Sequence, residues 1–313
     1  MARVVVTGGG GFIGSNLVHA LVARGDSVAV VDDFSTGRKV NLAALTGRIE
    51  VFEGDIRDRA LLKRALNGAQ YVLHQAALPS VARSMEAPED THDVNVNGTL
   101  YVLQAARAAG VQRLVFAASS SAYGETPVLP KVETMAPCPI SPYGASKQFG
   151  ETYCQIWTQC FGLQCVALRY FNVFGPRQSP DSEYAAVIPR FVTLMQQGRR
   201  PTVFGDGGQT RDFCYIDNVV EANLKALTAP NAPGNIYNVA CGERISLLDL
   251  IAEINRQLGT AVPVEHLPPR AGDIRDSLAD ISAIRRDLGY TVSVSFADGL
   301  QRAISWYAAH PRG

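Results

Sequence analysis

Arg3-Val4-Val5-Val6-Thr7-Gly8-Gly9-Gly10-Gly11-Phe12-Ile13-Gly14 joins a β-branched run to a glycine-rich turn. Val4-Val5-Val6 reads as a buried strand, and Phe12 to Arg24 as the helix after it. Gly8, Gly11 and Gly14 are spaced GxxGxxG. The first glycine permits the tight turn, and the second lets backbone approach a pyrophosphate. The third lets helix pack on strand, with the helix N-terminus facing the anion. Phe12 and Ile13 open that helix and are counted with the turn.

Further strands follow outward from this unit. Ser27 to Val31 ends at Asp32 and Asp33, and Asp32 lies 18 residues beyond Gly14. A carboxylate there binds adenosine ribose hydroxyls and repels a 2′-phosphate, so NAD is expected rather than NADP. Ser35, Thr36 and Gly37 of the next loop are counted with it. After Ile49 to Glu53, Asp55-Ile56 stands where an adenine contact is expected; the other reading makes Asp55 the cap of the next helix. Tyr71 to His74 runs into Gln75, Ala76 and Ala77, small residues across which a cofactor can lie. Leu114 to Ala117 and Cys165 to Leu168 read as two more strands. Helical stretches alternate with all of these. The pattern predicts an α/β fold of Rossmann type, a doubly wound parallel sheet.

After Phe171 the pattern loosens. Gly175-Pro176, Gly205 to Gly208 and Pro233-Gly234 punctuate it, with helices remaining at Leu247 to Leu258 and Phe296 to Ala309. We therefore expect an NAD-binding domain over 1–171, with later segments returning to it. A smaller, interleaved substrate lobe is expected over 172–313. A chain of 313 residues suffices for a sizeable core. Lys plus Arg equal Asp plus Glu at 29 each, so nothing favours nucleic acid or an anionic membrane as partner. The six cysteines form no CxxC pair and show no metal-ligand spacing with histidine, so we expect thiols of a reducing compartment and no metal. The fold begins at Val4 with no leader before it, and no apolar run reaches the ~20 residues of a membrane span. A cytoplasmic protein is expected.

The chemistry centres on Tyr143-Gly144-Ala145-Ser146-Lys147, a YxxxK pattern at the start of a helix. Residues i and i+4 share a face, so the hydroxyl and the ammonium address one ligand. A free tyrosine, with a pKa of ~10, is too weak a base at neutral pH. A nearby lysine and a cationic nicotinamide would lower it. The strand Leu114 to Ala117 leads into Ser119-Ser120-Ser121, with Ser119 placed 24 residues before Tyr143. A serine there can hydrogen-bond the oxygen from which Tyr143 takes a proton.

With the phosphate turn, the serine and YxxxK in this order, the chain resembles the extended short-chain dehydrogenases/reductases, and within them the UDP-sugar 4-epimerases. RYFNVFGPR (169–177), TRDFCYID (210–217) and GDIRDSLADIS (272–282) carry the specific part of the likeness. The resemblance implies Ser119 as catalytic serine, Tyr143 as base, and Lys147 as its partner on the nicotinamide ribose. It places Phe171, Tyr170 and Asn95 by the cofactor, and Asn172 near the sugar or diphosphate. Ala186 and Val187 would touch the nucleotide, Phe204 the uracil, Arg211 and Arg270 the diphosphate, and Asp273 the uridine ribose. Ser80, Ser120 and Ser121 fall on the substrate side. Ser277 matches a position that holds a bulky tyrosine in relatives restricted to UDP-glucose and UDP-galactose, so an N-acetyl group is expected to fit. The helix from Pro142 to Phe161 and the helix before Gly110 resemble a dimer seam.

The implied reaction is C4 inversion of a UDP-sugar with tightly bound NAD, chiefly of UDP-N-acetylglucosamine. A 4,6-dehydratase needs an extra acid and base after the serine, where this chain has Ser120-Ser121-Ala122. A UDP-glucuronate 4-epimerase needs a cation for the substrate carboxylate, for which Arg83 or Arg177 is available. A non-catalytic NAD-binding regulator would be expected to lack the tyrosine or lysine present here. Pro79 stands where N-acetyl-preferring relatives tend to carry glycine, and it stiffens the loop before Ser80.

Overall fold

The computed structural model describes residues 1–179, 187–268 and 275–310. Seven parallel strands form the central sheet: β1 (Arg3–Thr7), β2 (Ser27–Asp32), β3 (Ile49–Glu53), β4 (Tyr71–His74), β5 (Arg113–Ser119), β6 (Gln164–Tyr170) and β7 (Ile236–Val239). Their order is β7-β6-β5-β4-β1-β2-β3. The order reverses beside β1, which pairs β2 on one side and β4 on the other. Such a reversal opens a crevice at the carboxyl ends of the strands, where ligands bind in open α/β sheets.

Side chains alternate across a strand, and here both faces are covered. Val4, Val6, Val28, Val30 and Val115 enter one core. Val5, Ala29, Val31, Val72 and Leu114 enter the other. Both faces being buried, these strands read as continuous apolar runs. The expected doubly wound parallel sheet is therefore present, longer than expected in β5 and β6 and with β7 added.

Eight of the helices are labelled here: α1 (Phe12–Ala23), α2 (Arg59–Ala65), α3 (Thr99–Ala108), α4 (Pro142–Phe161), α5 (Val187–Gln196), α6 (Ile216–Ala226), α7 (Leu247–Leu258) and α8 (Phe296–Ala309). Ser141 caps α4 by accepting the Gly144 N–H at 3.1 Å, Pro142 occupies its first turn, and Gly162 ends it at φ +74°. Rigid caps at both ends fix the register of the YxxxK face. Beyond β6 the chain forms three short pairs: Val173–Phe174 with Cys214–Tyr215, Thr210–Arg211 with Ile245–Ser246, and Thr202–Phe204 with Glu265–Leu267. Among the described residues, no helix is long and apolar enough to cross a membrane.

Candidate active site

The glycine turn leaves no room for side chains. A Cβ on Gly14 would stand 2.0 Å from the Gly8 carbonyl oxygen, and Gly8 itself adopts φ +70° against the backbone of Ala76. Gly11 precedes α1 with no side-chain cap, so the first amides of that helix face the crevice. Asp32 is nearly buried and accepts from the N–H groups of Gly10 (2.7 Å) and Phe34 (2.8 Å). Burial pushes its pKa up, while those two bonds pull it down. Its carboxylate is thus fixed beside the turn, and Gly37 packs against it. Asp33 accepts from the amide and hydroxyl of Ser35, shaping the loop that also holds Thr36. An open helix N-terminus, a close-packed glycine turn and a fixed carboxylate fit a dinucleotide.

Asp55 does not cap the next helix. Asp58 does, its Oδ1 accepting from Ala60 and Leu61, because α2 starts at Arg59. Asp55 pairs with Arg57 at 2.6 Å, and that bond lowers its pKa. Ile56 is buried. Gln75 hydrogen-bonds Tyr170 and Asn223, and the Ala76 N–H donates to Thr7 Oγ1.

His74 lies wholly buried between two threonines. Thr99 Oγ1 donates to the Asn95 carbonyl at 2.6 Å, so the 3.0 Å contact has His74 Nε2–H donating to Thr99. Nδ1 then accepts the Thr7 hydroxyl at 2.7 Å. Burial, with Lys147 adding to it, lowers the imidazole pKa to about 3, so His74 is neutral. Asn95 directs its side chain to both backbone groups of Leu78 and to Ser146 Oγ. Ser146 in turn donates to the Tyr143 carbonyl.

Tyr143, Lys147 and Ser119 meet at the carboxyl end of β5. Ser119 Oγ accepts from the amide (3.2 Å) and hydroxyl (2.9 Å) of Ser121 and lies on the phenol side of Tyr143, whose pKa it lowers. Lys147 Nζ donates to the Ala117 carbonyl at 2.8 Å and lies 5.8 Å from the Tyr143 ring centroid. The expected lowering of Tyr143 by Lys147 is not seen within the chain. Burial pushes the phenol up, and only the Ser119 bond pulls it down. The ammonium is turned to Ala117 and is itself lowered to about 8 by burial. No carboxylate among the described residues shifts Tyr143.

A cavity of about 340 Å³ opens between α5 and the short strands, lined by Asn172, Val187, Phe204 and Arg211 among others. The sequence grouped these four, and the fold brings them together. Asn172 Nδ2 donates to the Asp212 carbonyl, and Arg211 donates to the carbonyls of Thr210 and Arg275. Not anticipated are Thr202, Arg190 and Phe213, which also line the cavity. Two-residue spacing from Phe204 and Arg211, and three-residue helical spacing from Val187, place them on the same faces. Ser277 is not among the residues lining the cavity; its N–H donates to the carbonyl of Thr210, the residue before Arg211, at 3.1 Å. Ser80, at φ +98°, caps the short helix Val81–Glu86. Ser120 opens a turn of 3₁₀ helix after β5. Ala186, Arg270 and Asp273 lie outside the described residues.

Residues 4–240 match the NAD dependent epimerase/dehydratase family. A UDP-glucose 4-epimerase of Mycolicibacterium smegmatis is 38% identical over 97% of this chain and 98% of its own. The structure of a UDP-N-acetylglucosamine 4-epimerase from Methanobrevibacter ruminantium M1, in complex with UDP-N-acetylmuramic acid, is 36% identical. It superposes with a TM-score of 0.95 over 99% of both chains. That of a UDP-glucuronic acid 4-epimerase from Bacillus cereus, with UDP-glucuronic acid and NAD, is 31% identical, with a TM-score of 0.90 over 99% of this chain and 100% of that one.

Proposed function

The chain belongs to the NAD dependent epimerase/dehydratase family, and on that footing we propose that it inverts C4 of UDP-sugars. The preferred pair is UDP-N-acetylglucosamine and UDP-N-acetylgalactosamine, with UDP-glucose and UDP-galactose accepted more weakly. The observation that carries the reading is the meeting of Tyr143 and Ser119 at the end of β5, where Ser119 lowers the phenol's pKa and Ser120, Ser121 and Ala122 follow with no carboxylate among them. One base and one hydroxyl suffice to move a single proton on and off O4. Expelling water from the sugar, as a dehydratase must, needs a second acid–base pair.

Gly8, Gly11, Phe12, Ile13 and Gly14 would hold the pyrophosphate of NAD and Asp32 its adenosine ribose. Bound NAD supplies a centre that takes up a hydride and returns it. Tyr143 accepts the O4 proton as C4 is oxidised and gives it back after the 4-keto sugar has turned over. Ser119, fed by two donors from Ser121, hydrogen-bonds O4 throughout. Lys147, whose ammonium is turned to the Ala117 carbonyl, would hold the nicotinamide ribose. The cavity at Phe204 and Arg211 holds UDP while the sugar turns, so nucleotide binding must be tight and sugar binding loose.

UDP-glucuronate is the second reading, favoured by the B. cereus relative. Arg177 donates to Asn16 of α1 at 2.6 Å, turned toward the cofactor helix, which leaves Arg83 for a substrate carboxylate. Comparing rates on the three UDP-sugars separates the readings.

The purified protein is expected to carry NAD and to turn over UDP-sugar without net NADH. NADH absorbance that grows in step with substrate consumed would overturn the epimerase reading.

A homodimer is expected through α3 and α4. Phe149, Tyr153, Trp157 and Phe161 follow one another along α4, with ring centroids 4.0 to 5.0 Å apart. Phe149 and Pro142 also border a cleft of about 460 Å³ with His92 and Val96. Light scattering at micromolar concentration should give twice the chain mass; the chain mass itself would refute the seam.

A further inference from the structure

Tyr143, Lys147 and Glu151 follow one another at i, i+4 and i+8, so they line a single face of α4. Glu151 is buried, and so is its partner on β6. Arg169 Nε and Nη2 each donate to a Glu151 oxygen at 2.8 Å, with the two side chains 1% and 2% exposed. The Arg169 guanidinium also lies 4.4 Å from the Tyr123 ring, and its Nη1 has no hydrogen-bond partner. Burial pushes the Glu151 carboxyl up, while the two parallel bonds from Arg169, a guanidinium that does not lose its proton, and the charge of Lys147 pull it back toward the ionised form. A buried pair of this kind is costly to desolvate, and apolar residues of similar volume are often at least as stable. Packing alone therefore does not explain its place one turn behind the lysine.

We propose that Glu151 is a positioning residue for the reaction: fixed by Arg169, its carboxylate keeps the Lys147 ammonium charged at working pH. The kinetic arm of this inference rests on the 4-epimerase reading. The groups around Lys147 are few. Tyr143 and Glu151 share its helix, and His74 of β4 is neutral. From β5 come the Ala117 carbonyl and the Phe116 ring, 5.1 Å away. Arg169 of β6 stands behind Glu151. Burial lowers the Lys147 pKa to about 8, and Glu151 is the charge that opposes the fall. Removing the carboxylate lets the pKa drop further, so the ammonium is lost on the acid side of its present midpoint.

The test follows the ¹³Cε resonance of Lys147 against pH in the NAD-bound protein, assigned by its disappearance in Lys147→Met. It is measured in wild type, Glu151→Gln and the double variant Glu151→Leu/Arg169→Leu. In Glu151→Gln, which removes only the negative charge, the midpoint is expected to fall by about one pH unit or more, with the alkaline limb of kcat falling alongside and KM little changed. The double variant removes a negative and a positive charge together, so its midpoint should fall less than that of Glu151→Gln. An unchanged midpoint in folded Glu151→Gln, or a midpoint at or above wild type in the double variant, overturns the proposal and leaves the pair a structural one. A lowered midpoint in a protein that turns over no UDP-sugar upholds the tuning and defeats the epimerase reading instead.

Discussion

Tyr143→Phe is expected to cut turnover by about 10²–10⁴-fold or more, with UDP-sugar affinity nearly unchanged. Phenylalanine keeps the ring and removes only the phenol oxygen, the group that Ser119 influences. The base is lost while the cavity proposed for UDP, built from α5 and the short strands, is untouched. An interaction made in the transition state and absent from ground-state binding lowers kcat and kcat/KM together and leaves KM. NAD should remain bound, because the glycine turn and Asp32 lie on other elements. The variant therefore separates an enzyme from a passive NAD-binding protein. Near-full kcat in Tyr143→Phe would remove Tyr143 from the catalytic role and require another base at the end of β5.

The second large effect concerns the sugar. Ser277→Tyr is expected to lower kcat/KM for UDP-N-acetylgalactosamine by at least about 10²-fold while sparing UDP-galactose. Ser277 is anchored by its own amide to Thr210, the residue before Arg211, and its neighbour Asp276 accepts the Thr210 hydroxyl at 2.6 Å and pairs with Arg244. Position 277 is thus tied by backbone to the strand that carries Arg211 into the cavity. On the proposed reading, a phenol on a backbone so held would take the volume that an acetamido group requires, whereas serine would leave that volume open and offer one hydroxyl. The account of specificity fails if the ratio of the two kcat/KM values does not move, or if wild type converts UDP-galactose and not UDP-N-acetylgalactosamine.

Features that demand a local geometry were legible in the sequence. Gly8 and Gly14 are required by contacts within one turn and its helix. Pro142 and Gly162 bracket α4 by the rules for a first turn and a stop, and the structure adds Ser141 as the cap. The YxxxK face follows from helical period alone. Features decided by distant pairing were not. β5 reaches Ser119 because Ser119 pairs with Tyr170, 51 residues on. β7 is only four residues long, and its apolar pattern is broken by Asn238. That side chain is buried because it accepts the Tyr123 hydroxyl at 2.7 Å and donates to the carbonyls of Lys131 and Asp280. Asp55 and Asp58 are both plausible caps, and only the observed start of α2 decides between them. The Tyr143 environment differed for a physical reason as well. A positive neighbour was expected to dominate, yet the folded chain desolvates the phenol and turns the ammonium to a backbone carbonyl. The Glu151–Arg169 pair joins a helix to a strand; Arg169 opens the RYFNVFGPR stretch, but no spacing in the sequence ties it to Glu151.

The central claim, that a proton leaves O4 and a hydride leaves C4 and that both return, is tested most directly with a UDP-sugar deuterated at C4. Run in ordinary water with UDP-N-acetylglucosamine, the reaction should give the C4 epimer with deuterium still at C4, as read by mass spectrometry and NMR. Deuterium found at C6 of a 4-keto-6-deoxy sugar, or lost from the product altogether, would contradict the account.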